Sequence, residues 1–410
     1  MCTWLVASCA VQAEVSNSEL PLATKADIFG TYLGSFTVDY SDEVSHTRYS
    51  EGRIAYNPER HSIFIDSNHR DDAIAEFAIP EELSHSNDIQ QLPKAAMLQP
   101  YRRLFASAAT GNPHGIDKIG GMSLVRGELV VQAYETYDAS GKNPHTTLIV
   151  RQPQNLAESR IDGFFEMEGA ARTSMYISEV PDEWKTALGG SWIAGMGAGM
   201  SINSRFSEGP SLYVFDPEDF RGRVSGRIPT RKHLDYPFNR ALSSQLYEDP
   251  ESGGWDSYNS TGKNLLWTQI SAARFAFVVP GTRTFAVIGK SGALKNSGGY
   301  KILNDEGYRC PGPCAYDNED IHTYYWLYDL EEVLTASNTY DQVPYEYGIF
   351  DDRFLTYGKQ GANGLISGGS FDAGSNHLYL IRPSVGKNGR FPVISIYKVG
   401  SAALQRAEAP

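Results

Sequence analysis

Ala55-Tyr56-Asn57-Pro58-Glu59-Arg60-His61-Ser62-Ile63-Phe64-Ile65 is one half of a phrase that the chain uses twice. Its counterpart, Ser370-Phe371-Asp372-Ala373-Gly374-Ser375-Asn376-His377-Leu378-Tyr379-Leu380, lies near the other end. In both, a small-aromatic pair passes through a polar turn into an alternating aromatic and branched segment. Asn, Pro, Asp and Gly set the reversal, and the flanking residues supply the strands of a hairpin. A hairpin reused at both ends of a long chain predicts a ring of repeated units closed by its two termini. A pair of β-sandwiches would not require the first and last units to look alike.

Weaker copies of a strand that ends in a Pro or acidic turn fill the interval. They are Phe77 to Leu83, Leu148 to Pro153, Leu212 to Phe220 and Trp326 to Leu334. Leu124 to Val131 and Phe275 to Gly289 read as further strands, the second broken at Pro280-Gly281. Ser178 to Leu188 offers no more than a short helical turn, and no strand–helix–strand units recur. The expected fold is therefore all-β: a single β-propeller over residues 25–402, with about seven blades of four-stranded antiparallel sheet accounting for the length. Blades bury their faces only against one another, so such a ring forms one domain despite 410 residues. The 39 glycines and 21 prolines suit many tight turns, and no linker or low-complexity stretch divides the chain.

A net charge of −13 argues against nucleic acid and anionic membranes as partners. It leaves room for an anionic polymer, because a few arginines in a cleft reverse the local potential. Nothing calls for a partner subunit, and a monomer is expected. Trp4 to Ala10 is a short apolar run followed by Val11-Gln12-Ala13, which reads as an export signal over residues 1–13. Val6-Ala7-Ser8-Cys9 alternatively fits the box before a lipid-bearing cysteine. Secretion, periplasmic release or outer-membrane attachment through Cys9 are the addresses this allows.

Beyond Cys2 and Cys9, the cysteines are Cys310 and Cys314, in Tyr308-Arg309-Cys310-Pro311-Gly312-Pro313-Cys314. In an oxidising compartment they read as a small disulfide loop. Equally, their spacing suits half of a structural zinc site completed by His322 and by His233 from another blade. Asp317-Asn318-Glu319-Asp320 could hold calcium, but lacks the glycine and spacing of an EF-hand loop and reads better as a solvated turn. There is no nucleophile elbow, P-loop or dinucleotide fingerprint, so neither a serine hydrolase nor an organic cofactor is indicated. His114, in Thr110-Gly111-Asn112-Pro113-His114-Gly115, and His145, in Lys142-Asn143-Pro144-His145, each follow Asn-Pro in a loop rich in breakers. Rigid turns of this kind suit histidines held at a mouth of the ring. Arg205 and Tyr247 become candidates in combination with them.

Gly52 to Pro58, Ser204 to Tyr213, Pro280 to Thr284 and Cys310 to Tyr325 resemble stretches of the seven-bladed propeller polysaccharide lyases that cut ulvan, a sulfated algal glycan. The resemblance implies acid–base work by a histidine and a tyrosine, an arginine on the uronate carboxylate, and a structural metal. Carried over, His145 and His114 are the catalytic histidines, Tyr247 lines the cleft, and Arg205 meets the carboxylate. The family's proton-donating tyrosine has no counterpart in Gly189-Gly190-Ser191-Trp192. The function implied is β-elimination on a uronate polymer. The alternatives are a non-catalytic propeller that binds glycans or proteins, and a propeller glycoside hydrolase, which would need a pair of carboxylates.

Overall fold

A computed structural model of the chain describes residues 17–198, 206–386 and 391–400. It is a β-propeller of five blades, not the seven expected from length. Blade one comprises Ile54–Asn57, Ser62–Asp66, Ala73–Ala78 and Ala96–Arg103. Blade two comprises Lys118–Val125, Glu128–Tyr134, Thr147–Arg151 and Arg160–Met167. A fifth strand, Gly226–Ile228, joins it in parallel from a connection within blade three. Blade three is built from Tyr176–Glu179, Trp192–Gly195, Leu212–Phe215 and Arg231–Leu234. Blade four contains Ala272–Val278, Thr284–Gly292, Ile321–Asp329 and Glu346–Ile349. Blade five takes Gly368–Asp372, His377–Val385 and Phe391–Lys398, and is completed by the first strand of the described chain, Thr31–Thr37.

The blade count is lower than expected because long connections consume chain. Residues 235–271 run between blades three and four, and 293–320 form an excursion inside blade four that carries its own hairpin of Gly298–Tyr300 and Pro313–Ala315. One strand read from sequence also divides. Leu124 to Val131 is a hairpin, reversed where Arg126 and Gly127 take positive φ values of 53° and 80°. The doubled phrase, by contrast, is the hairpin of the two innermost strands in blades one and five. These blades are neighbours across the closure, and the copies pack on each other: Tyr56 stacks on Tyr379 at 4.4 Å and its N–H donates to Ser370 Oγ at 3.1 Å.

Five inner strands enclose an axis with almost no room. A side chain at Gly120 would place its Cβ 1.6 Å from the Ser174 carbonyl oxygen, and one at Gly368 would lie 2.0 Å from that of Gly52. What remains of the axis is a void of about 10 Å³ beside Arg53, Met175 and Arg274. Between blades the sheets close on apolar layers such as Phe277 against Phe371, 4.5 Å apart. Each buried aromatic of this kind contributes roughly 1.5–3 kcal/mol. The inner strands finish around one cup of 530 Å³, lined by Asn57, Leu124, Val180, Pro280 and Asp372. They therefore run in one direction and all begin at the opposite end of the ring, where the long connections gather.

Candidate functional site

At that starting end a carboxylate sits among cations. Glu51 and Arg53 are presented by a turn tied to Asp66 of the next strand, which accepts from Ser50 Oγ at 2.5 Å and from the N–H groups of Glu51 and Arg53 at 2.8 Å. Glu51 lies 3.6 Å from Lys118 Nζ and 4.0 Å from the Arg53 guanidinium. Burial alone would raise its carboxyl, but Arg53, Lys118, Arg274 and His69 outweigh that and hold it below the usual range. Arg274 is the extra residue of a β-bulge between Ala273 and Phe275, a device that re-aims a side chain. Lys290 stands on the adjacent strand, paired with Ala272. In a chain of net charge −13, this mouth carries Arg53, Lys118 and Arg274 around Glu51, with Lys290 beside Arg274.

Lys290 also lies in the wall of a cleft of about 1300 Å³ that opens beside the axis. Trp255, Tyr258, Tyr300 and Tyr308 give it aromatic walls, and Gln269 and Asn304 add amides. Tyr247 lines it, where the resemblance put a cleft tyrosine. Connection 235–271 is braced from within. Buried Asn264 donates to the carbonyls of Asp256 and Trp267 at 2.8 Å, and Trp255 Nε1 donates to Ser243 Oγ at 2.6 Å. Opposite, Asn304 donates to Asn318 Oδ1 and the Lys359 carbonyl, both at 3.0 Å, fixing the excursion in blade four.

The two loop histidines, far apart in sequence, come together on blade two. The rings of His114 and His145 are 4.4 Å apart and near perpendicular, and His145 stacks on Phe164 at 5.9 Å. Asn143 holds both: its Oδ1 accepts from the His145 N–H at 3.2 Å, and its Nδ2 donates to the His114 carbonyl at 3.0 Å. His145 Nε2 faces Glu166 at 3.5 Å. Burial, then the charge of His114, lower the His145 pKa despite Glu166, so the ring is neutral at neutral pH. His114 precedes Lys118 by four residues, which span at most about 14 Å, and lines a small pocket of about 310 Å³ with Glu135, Tyr137 and Asp138.

Other sequence candidates fall differently. Arg205 and the export segment lie outside the described residues. Cys310 and Cys314 are joined in a disulfide of S–S 1.94 Å, so their sulfurs are not free to act as zinc ligands. The remaining members of the zinc set are engaged elsewhere. His322 is held between Asp352, 2.9 Å from Nδ1, and Asp320, 3.5 Å from Nε2, while His233 Nε2 sits 2.9 Å from the Leu188 carbonyl. Both cysteines line the cleft wall. Asp317 and Asp320 serve as turn acceptors, Asp317 from the Glu319 N–H and Asp320 from those of Lys295 and Asn296. No calcium-type group of ligands forms among the described residues. Sequence reasoning missed Glu51, Lys118, Arg274 and Lys290. The available signal was a lone cation inside an otherwise apolar strand, as in Ala272-Ala273-Arg274-Phe275 and Val287-Ile288-Gly289-Lys290.

His322 makes a pH prediction. The carboxylates of Asp320 and Asp352, opposed by burial, raise it from 6.5 to about 9. Its contribution is thus complete below pH 6.5 and lost as pH rises through 9. Wild type should melt lower at pH 9.5 than at pH 6 by more than His322→Gln does, the variant having lost about 1.5–3 kcal/mol at the acid end. Equal pH slopes in thermal melts would remove His322 from this role.

No known protein family and no curated relative matches the chain. Among solved structures, one similar fold belongs to glycoside hydrolases of the GH130 family of mannoside phosphorylases that target β-1,2 linkages in Candida mannan. It shows 9% identity and a TM-score of 0.38, covering 93% of this chain and 97% of its own. β-1,2-Mannobiose phosphorylase from Listeria innocua gives 9% and 0.35, over 95% and 98%. Sqt1 of Saccharomyces cerevisiae gives 8% and 0.28, over 85% and 73%. Likenesses this distant lend no residue role or activity to this chain.

Proposed function

We propose that the protein cleaves an anionic, uronate-containing polysaccharide by β-elimination at the starting end of the ring. The observation that carries this reading is the His114–His145 pair, one member neutral, on the blade whose inner strand brings Lys118 to the cationic mouth. His145 takes the weakly acidic proton α to the uronate carboxylate, and the electron pair left behind forms the new carbon–carbon double bond. The bond to the glycosidic oxygen breaks, and that oxygen is protonated by the neighbouring His114. Glu166 faces Nε2 of the base and steadies the imidazolium that forms. The mouth cations stabilise the charge that builds on the carboxylate. The aromatic cleft that Lys290 enters holds further sugar rings of the polymer.

A second reading is a propeller glycoside hydrolase, which needs one ionised and one protonated carboxyl. Glu51 is kept ionised by its cations, whereas burial raises Glu208 to about 7 despite hydrogen bonds from Gln269 and Trp267. A hydrolase needs two such carboxyls facing each other across the bound sugar. One assay separates the two. The protein is mixed with a panel of polyuronates while ultraviolet absorbance of the unsaturated uronate and release of reducing ends are followed. Elimination yields both signals together. Reducing ends without absorbance would replace the lyase with a hydrolase, and neither signal across the panel would end the catalytic reading.

A further inference from the structure

Two neighbouring cations of blade four lack an acid of their own: Lys290, in the cleft wall, and Arg274, beside the axial void. Lys290 Nζ has no carboxylate or hydrogen-bond acceptor among the described residues, and the polar contact made by Arg274 is with Met175 Sδ at 3.6 Å. Glu51, whose charge reaches Arg274, is already engaged by Arg53 and Lys118. Both cations are held by rigid strands of blade four, Arg274 by its bulge and Lys290 across from Ala272. Burial and the charge of Arg274 pull the Lys290 ammonium down to about 8. Arg274 and Lys290 are half-buried and repel each other, and an anion beside Lys290 relieves that repulsion. The exposed rim of the same cleft carries Tyr300, which is 60% exposed, and Phe238, 56% exposed, as faces for sugar rings rather than for a protein core.

We infer that Lys290, backed by the neighbouring Arg274, forms a subsite for an anionic substituent, a sulfate ester or a carboxylate, on a sugar unit lying in the aromatic cleft. The subsite is distinct from the His114–His145 pair: it grips the polymer and takes no part in proton transfer. It deepens the proposed function and rests on it only for the nature of the polymer.

The test measures equilibrium binding of a sulfated polyuronate, of the same polymer desulfated, and of the same polymer with its carboxyls reduced. It uses the full chain carrying His145→Gln so that polymer stays intact. Stripping one class of anion should weaken binding about tenfold or more, the worth of one charge-assisted hydrogen bond, and which polymer suffers names the substituent. Adding Lys290→Met should erase that preference, whereas Lys290→Arg, which keeps the cation, should retain most of it; far-ultraviolet dichroism establishes that both fold. A Lys290→Met protein that keeps the full preference overturns the subsite, as does a wild type with no preference at all. Should the preference depend on Lys290 while the absorbance assay stays flat, the subsite stands and elimination falls. Cleavage without such dependence removes the subsite alone.

Discussion

Turnover of a uronate polymer by the His145→Gln variant should fall by ~10²–10⁴ relative to wild type, the usual worth of one positioned acid–base group. The fold should survive, because glutamine fills much of the same space against Phe164 and the anchoring bond from the His145 backbone to Asn143 is untouched. The pH profile gives a second readout. Burial and His114 lower the His145 pKa below 6.5, so activity should hold through neutrality and fall only as pH drops below that value and protonates the base. His114→Gln relieves the repulsion and should move this acid limb upward. Near wild-type turnover in His145→Gln, or an acid limb unmoved by His114→Gln, would break the assignment of the pair.

A second large effect concerns stability. Trp326 is fully buried in the third strand of blade four, its ring 5.0 Å from that of buried Trp267, and its Nε1 donates to the Leu266 carbonyl at 2.8 Å. It thereby locks connection 235–271, with Tyr247 and Trp255, onto the blade. Trp326→Ala should cost ~3–5 kcal/mol in urea unfolding through the cavity it leaves. Trp326→Phe keeps most of the packing but strands the Leu266 carbonyl, and should cost about 1–3 kcal/mol. If the two variants melt alike, the hydrogen bond and not the packing secures the connection.

More of the fold is written in the sequence than the blade count suggests. Phe77 to Leu83, Leu148 to Pro153, Leu212 to Phe220 and Trp326 to Leu334 each fall on the third strand of a different blade. With the blade that closes the ring, they number the five that exist. Dividing chain length by blade size overcounts, because it treats 235–271 and 293–320 as sheet when they are cleft. The Asn-Pro turns before His114 and His145 are legible because a proline-fixed turn holds its side chain locally. That the two rings touch is not, since it depends on two loops of one blade converging. The mouth cations are less legible still: Arg53, Lys118 and Arg274 come from three blades, and only the ring brings them around Glu51. The pairing of Cys310 with Cys314 is within reach of spacing, but their position is not, because spacing says nothing about which end of the ring an excursion occupies.

Blade five joins Thr31–Thr37 to Phe391–Lys398, so the earliest strand of the described chain, bridged before that only at Ser84 and Lys94, gains its full partner after the last one has been synthesised. Four blades can assemble in order as they emerge, but the seam must wait, and its unpaired strand edges stay exposed through the whole of translation. Holding the seam open is therefore the chain's most aggregation-prone interval, and whatever shields Thr31–Thr37 during it sets the yield of folded protein.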